Sequence, residues 1–228
     1  MLYNKRIKEI LESKSMFTKI ISNVYNFIFF NKKKIKGKNN RINISGSFFK
    51  NTSITVIGNN NSIVFKNLCY VQNTKITIYG DNNVINISDK VFIKDGDIYL
   101  EDNENILKID TRTIIAGKTH IAITEGKQVS IGNRCMFSNN VVIRTGDSHS
   151  IIDNITQQRI NNAKNVKIGN HVWVTQNVTI LKGSQISDDS IVATGSVVTK
   201  KFENNNIIIG GNPSKKIKDN INWKQERI

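Results

Sequence analysis

The sequence predicts an all-β chain wound into a parallel β-helix, with a helix before it and an extended segment after it. Ile168, Val174, Ile180, Ile186, Val192 and Val198 stand six residues apart, a spacing that belongs neither to one face of a helix nor to the alternation of a strand. Four residues after each block's first residue comes a small or β-branched group, Val172, Val178, Ser184, Ser190 and Ser196. Short β-segments joined by tight corners, one large residue inward per side and three sides per coil, give this pattern. A looser repeat precedes it: Gly37 to Ile42, Gly58 to Ile63, Gly80 to Ile85 and Glu101 to Ile106 recur every 21 or 22 residues.

The elements follow in order. Tyr3 to Ile28 holds no Gly or Pro, and Ile7, Ile10, Leu11, Phe17, Ile20, Ile21, Val24, Phe27 and Ile28 recur at helical spacing. This predicts a helix over residues 3–30, ended by the lysine cluster at 31–37, within a basic amphipathic N-terminal segment, 1–36. Ser22, Asn23 and Asn26 interrupt it too often for a bilayer span, and it lacks a small-residue cleavage site. Two readings stand. It caps the β-helix or packs on a neighbouring subunit; or residues 17–36 make a peripheral membrane contact, with Phe27, Phe29 and Phe30 in the lipid boundary and lysines on anionic headgroups.

Residues 37–113 then read as looser coils, with Asn and Gly at corners that need left-handed backbone. Residues 114–202 tighten to the six-residue form, with Ile131, Phe137 and Ile143 in the same register. From Ile143 to Ile168 is 25 residues, one more than four blocks, and Thr145 to Asn165 is polar. That predicts an external loop at 145–165, the kind of segment that carries function on a rigid scaffold. Residues 203–228 form the extended tail, which bears Trp223.

The formal charge of +15 is uneven. Residues 1–41 hold eleven Lys/Arg against two acids, residues 200–228 seven against three, and the middle is close to neutral. Basic residues confined to the ends argue against a nucleic-acid face. Cys69 and Cys135 fit neither a disulfide framework nor a cysteine metal site, and point to a reducing compartment, with Cys135 at a small inward position. His120, His149 and His171 include no close pair, and no acidic or cysteine cluster completes a ligand set, so no metal is expected.

Four motifs point further: the loop from Arg144 to Asp153 with His149 in it, Val166 to Trp173, Gly195 to Lys200, and Gly210 to Lys215. Together they resemble the hexapeptide-repeat acyltransferases over about residues 120–220, most of all the bacterial O-acetyltransferases of capsular glycans, including polysialic acid. The resemblance implies a left-handed β-helix, a homotrimer with clefts between neighbours, acetyl-CoA as co-substrate, and a glycan acceptor, which the basic ends tilt towards an acidic one. It also implies a cytoplasmic enzyme, peripheral at the inner membrane if the N-terminal segment is an anchor.

Residue by residue, the resemblance makes His149 the general base on a sugar hydroxyl. Asp147 or Asp153 orients its imidazole, and Trp173 lies near acceptor and thioester. Gln176, Thr194, Thr199 and Lys200 fall where relatives contact the pantetheine arm and pyrophosphate, and Lys215 and Lys218 where they meet the CoA phosphates. His171, at a corner, reads as a surface turn residue. Thr175 stands for a usual Gly, Lys182 for a common Pro and Ser214 for Ala, and Thr175 would narrow the pantetheine channel. With no Ser or Cys nucleophile beside a base, direct transfer in a ternary complex is expected. Two rivals are N-acetylation of an amino-sugar nucleotide and a non-catalytic glycan-binding β-helix.

Overall fold

The computed structural model describes residues 15–29 and 32–227. Among the described residues one helix, α1 (Ser15–Phe29), precedes three sheets, A, B and C, which the chain visits in rotation through Ile208–Gly210. Sheet A has eight strands, from Lys32–Lys36 to Val197–Val198. Sheet B has eight, from Arg41–Asn43 to Lys201–Phe202. Sheet C has nine, eight from Phe48–Lys50 to Ile208–Gly210 and a ninth, Lys215–Lys218, pairing antiparallel at its end. The result is the left-handed β-helix of about eight turns that the repeat and the resemblance implied.

Parallel register places like side chains above one another. In sheet A the inward column runs Ile54, Ile76, Ile98, Ile121, Ile143, Ile180, Val198. In sheet C it runs Phe49, Val71, Ile93, Ile115, Phe137, Val174, Val192, Ile209. All are buried, as are Val172, Val178, Ser184, Ser190 and Ser196 at the corners. The six-residue spacing thus marks residues packed in one continuous core, whose burial dominates the stability of such stacked coils.

The corners explain the Asn-rich repeat. Asn39, Asn60, Asn82 and Glu104 occupy one equivalent corner position with φ between 56° and 63°, backbone that Asn tolerates better than most residues. One residue on, Asn61, Asn83 and Asn105 are buried and form a ladder: each backbone N–H donates to the Oδ1 of the Asn one coil earlier, at 2.9–3.0 Å. At Gly58, φ is 141° and an added Cβ would lie 1.9 Å from Gly80 O, so only glycine fits there.

Both ends differ in detail from the sequence reading. Residues 1–14, 30 and 31 lie outside the described residues, and with them Ile7, Ile10, Leu11 and Phe30. Lys32–Lys36, taken as part of the helical segment, is already the first strand of sheet A, paired in parallel with Ser53–Ile57; the open backbone of that strand draws the chain into β-form as soon as the helix ends. At the other end the eighth coil runs past residue 202 to Gly210.

Candidate active site

Residues 145–165 leave the solenoid at the A/B edge of the sixth coil, between strands Val141–Arg144 and Val166–Ile168. Buried Thr145 closes the base: its Oγ1 accepts from Thr124 N at 2.9 Å, and its carbonyl accepts from Lys164 N at 2.8 Å. Corner residues of the coils on either side clamp the loop. On the fifth coil, Glu125 accepts from Arg159 and from Ala163 N. On the seventh, Lys182 Nζ donates to Asp147 Oδ2 at 2.5 Å and to Asn161 O at 2.7 Å. The Lys182 and Arg159 contacts hold the Asp147 and Glu125 carboxyls below the ordinary carboxylate range.

Asn161, 7% exposed, is the hub. Its Nδ2 donates to Asp147 Oδ2 and to His149 O, both at 2.8 Å, while its Oδ1 accepts from Ile151 N at 2.8 Å and Arg159 Nε at 3.1 Å. The tip is a short hairpin with an antiparallel bridge between Ile152 and Arg159. Within it, Asp153 Oδ1 accepts from the backbone of Ile155 and Thr156.

His149 is therefore fixed at its backbone and exposed at its ring. Neither carboxylate considered as its orienter reaches it: Asp147 is taken by Lys182 and Asn161, and Asp153 caps its own turn. Among the described residues the imidazole makes no hydrogen bond. Asn161, Lys182, Glu125 and Arg159 carry no motif in the sequence. Only Lys182 stood out, as a departure from a common Pro.

Trp173 lies half-buried on the outside of sheet C, between buried Val172 and Val174. Its ring centroid is 5.9 Å from that of Trp223, which folds back with the tail, donates from Nε1 to His171 O at 2.8 Å and stacks on the His171 ring at 4.2 Å. His171 has the left-handed φ of a corner residue, but it is more than a surface turn: its Nδ1 lies 2.9 Å from Asp189 Oδ1 on the next coil, and Trp223 covers its ring. His120 is likewise paired, with Asp97 at 2.9 Å.

The remaining candidates fall into two groups. Thr199 and Lys200 sit on the A/B edge two coils below the His149 loop. They adjoin a cleft of about 610 Å³ whose lining includes Lys164, Lys167, Lys182, Lys201 and Thr199. Gln176 and Thr194 sit on the C/A edge, where Gln176 O accepts from Gly195 N at 3.0 Å and Thr194 Oγ1 donates to Thr175 Oγ1 at 3.2 Å. Lys215 and Lys218 are exposed on the strand that ends sheet C. The candidates thus divide into two sets, His149 with Thr199 and Lys200 along one edge, and Trp173, Gln176, Thr194, Lys215 and Lys218 on or beside sheet C.

Both cysteines are buried and free. Burial pushes the Cys135 thiol up to about 12 and the Cys69 thiol to about 11, which keeps both protonated and poor as nucleophiles. Among the described residues no group of three or more His, Cys, Asp or Glu could hold a metal ion.

A three-sided solenoid with a histidine loop thrown from one edge defines a class of protein, and the solved structures define it further. The chain is 38% identical to the polysialic acid O-acetyltransferase OatWY, with a TM-score of 0.82 over 86% of this chain and 92% of that one. It is 31% identical to the polySia-specific acetyltransferase NeuO, with a TM-score of 0.79 over 85% and 88%. No protein-family model matches the chain, and no curated protein matches it. The chain belongs to the hexapeptide-repeat acyltransferase family and is an acetyl-CoA-dependent O-acetyltransferase.

Proposed function

We propose that this enzyme moves acetyl from acetyl-CoA to a hydroxyl of an acidic bacterial surface glycan, with polysialic acid the first acceptor to test. One observation carries the reading above the others: likeness at 38% identity to a polysialic acid O-acetyltransferase across 92% of that protein's chain. The lysine-lined cleft beside the A/B edge suits a polyanion, since clustered cations raise its local concentration.

His149 is the general base. Its imidazole takes the proton of the sugar hydroxyl as that oxygen bonds to the thioester carbonyl carbon. The carbon–sulfur bond breaks, the thiolate leaves as free CoA after taking up a proton, and the acetyl ester remains on the sugar. An unpartnered ring on an anchored backbone suits this role, because a base needs a free nitrogen and a fixed position. Transfer is direct, in a ternary complex, because both thiols are held protonated in the core. The ring of Trp173 stacks on the sugar, or its indole N–H, which lies 3.5 Å from Ser138 Oγ, turns to the thioester oxygen. Gln176, Thr194, Thr199 and Lys200 hold the pantetheine arm and pyrophosphate, and Lys215 and Lys218 the phosphates. Asp147 acts as an anchor of the loop rather than as the orienter of His149.

The separation of the two sets calls for a neighbour. The loop projects from the A/B edge, opposite sheet C in a three-sided solenoid, so His149 of one copy meets Trp173 of the next in a closed ring of three. Ile151, Ile152, Ile155 and Ile160 stand exposed on the loop, Ile155 at 93%, and a subunit contact would cover them. Acetyl-CoA and reduced thiols fit a cytoplasmic site of action.

The test is thiol release from acetyl-CoA with polysialic acid, other acidic glycans and neutral glycans as acceptors, followed by alkali treatment of the product. Release with an acidic glycan and an alkali-labile ester on it is the expected result. An alkali-stable product would mean N-acetylation. No acetyl-CoA binding and no turnover with any acceptor would leave a glycan-binding scaffold.

A further inference from the structure

We propose that the N-terminal end of the solenoid is a docking face for an anionic lipid surface, formed by the outer side of α1 and the first strand of sheet A. The helix is amphipathic in the reverse of the usual sense. Its polar side faces the protein, where Ser22 Oγ accepts from Gly46 N at 2.9 Å, and Asn26 donates to Ser47 O at 2.9 Å and accepts from Phe49 N at 2.7 Å. These bonds satisfy backbone groups of the first described coil, as buried polar groups require. The side left outside is apolar: Phe17, Ile20, Val24, Phe27 and Ile28 are all more than half exposed, Phe27 at 91%.

After it in the chain, at the same end of the solenoid, Lys32–Lys36 is exposed along its whole length, with Lys32, Lys33, Lys34 and Lys36 around a single apolar residue, Ile35. Lysines on an edge strand also discourage edge-to-edge pairing, but that role leaves the apolar helix face unexplained. The charge decides the occupant. Residues 15–80 hold ten Lys/Arg and no Asp or Glu, so the described residues at this end bring no carboxylate to repel an anion. An apolar stripe flanked by unopposed lysines matches an interface of acyl chains beneath anionic headgroups. A nucleic acid would use the lysines and leave the stripe in water. No described helix is long and apolar enough to cross a membrane, so the contact lies on the surface.

The experiment is co-sedimentation of the full chain with vesicles of phosphatidylglycerol and phosphatidylethanolamine, against pure phosphatidylcholine. Two variants test the face, Phe27→Ser/Ile28→Ser and Lys32→Gln/Lys33→Gln/Lys34→Gln/Lys36→Gln. Binding to the anionic vesicles should exceed that to phosphatidylcholine by about tenfold or more and weaken in salt. Both variants should lose binding by a similar factor while keeping their oligomeric state and their O-acetyl transfer to soluble acceptors, since these residues lie far along the solenoid from the His149 loop. Equal binding to both vesicles, binding unchanged in both variants, or no binding at all would overturn the proposal. A Phe27→Ser/Ile28→Ser chain that dissociates into smaller species would do the same, by showing that a second copy covers the stripe.

Discussion

At Lys182 an ammonium meets both the Asp147 carboxylate and the Asn161 carbonyl, so the position of His149 depends on a residue of the next coil that lies outside the loop. Two roles for Asp147 separate at this point. If it anchors the loop, Lys182→Ala lowers kcat/KM about as much as Asp147→Ala does, by roughly tenfold or less for a half-exposed ion pair. If it oriented the imidazole, Lys182→Ala would be almost silent. Steady-state kinetics of the two variants decide the matter. The pH sign follows from the depressed carboxyl. A group whose folded-state pKa is lowered stabilises the fold above its unfolded value and loses that contribution as pH falls through the folded one. The anchor therefore holds at neutral pH and fails only in acid, below the ordinary carboxylate range. None of this was legible in the sequence, because Asn161 sits in a polar stretch whose neighbours are indistinguishable until the loop folds back on itself. His149 was legible only through the motif around it.

Among the elements, the loop is the one whose order rests on a few polar bonds rather than on core packing. Glu125 and Arg159 supply one of its two clamps, and Arg159 is itself a trypsin site. Glu125→Ala should speed cleavage after Arg159 severalfold at neutral pH, since proteolysis follows the population of the opened loop. Unchanged digestion would mean that Lys182 and Thr145 hold the loop alone. The loop's limits, 145–165, were readable because six-residue spacing has one allowed register, and a break in it locates an insertion. The first strand of sheet A was not readable. Its lysines resemble a helix terminus, and only pairing with Ser53–Ile57 across a coil makes it β. The facing of α1 was hidden for a related reason. An amphipathic pattern tells which residues share a side, not which side turns inward, and here the backbone's need for hydrogen bonds put the polar side in.

For the whole molecule, the columns of buried Ile and Val were written in the period itself, so the architecture was the most legible feature of the chain. Subunit arrangement leaves no such trace, because an edge loop and a flat sheet read alike in a monomer and in an assembly. The division of candidates between the A/B edge and sheet C makes a direct prediction. His149→Ala and Trp173→Ala chains, each of low activity, should regain a fraction of wild-type turnover when co-assembled, because some clefts then receive both native residues. Absence of complementation would place both residues in one chain's site.

Whether His149 takes the acceptor's proton is read most directly from acceptor-dependent CoA release by a His149→Ala chain that binds acetyl-CoA and unfolds as the wild type does. Loss of the base should lower kcat by about 10²–10⁴ with little change in KM for acetyl-CoA. Turnover at the wild-type rate would contradict it and move the base elsewhere in the cleft.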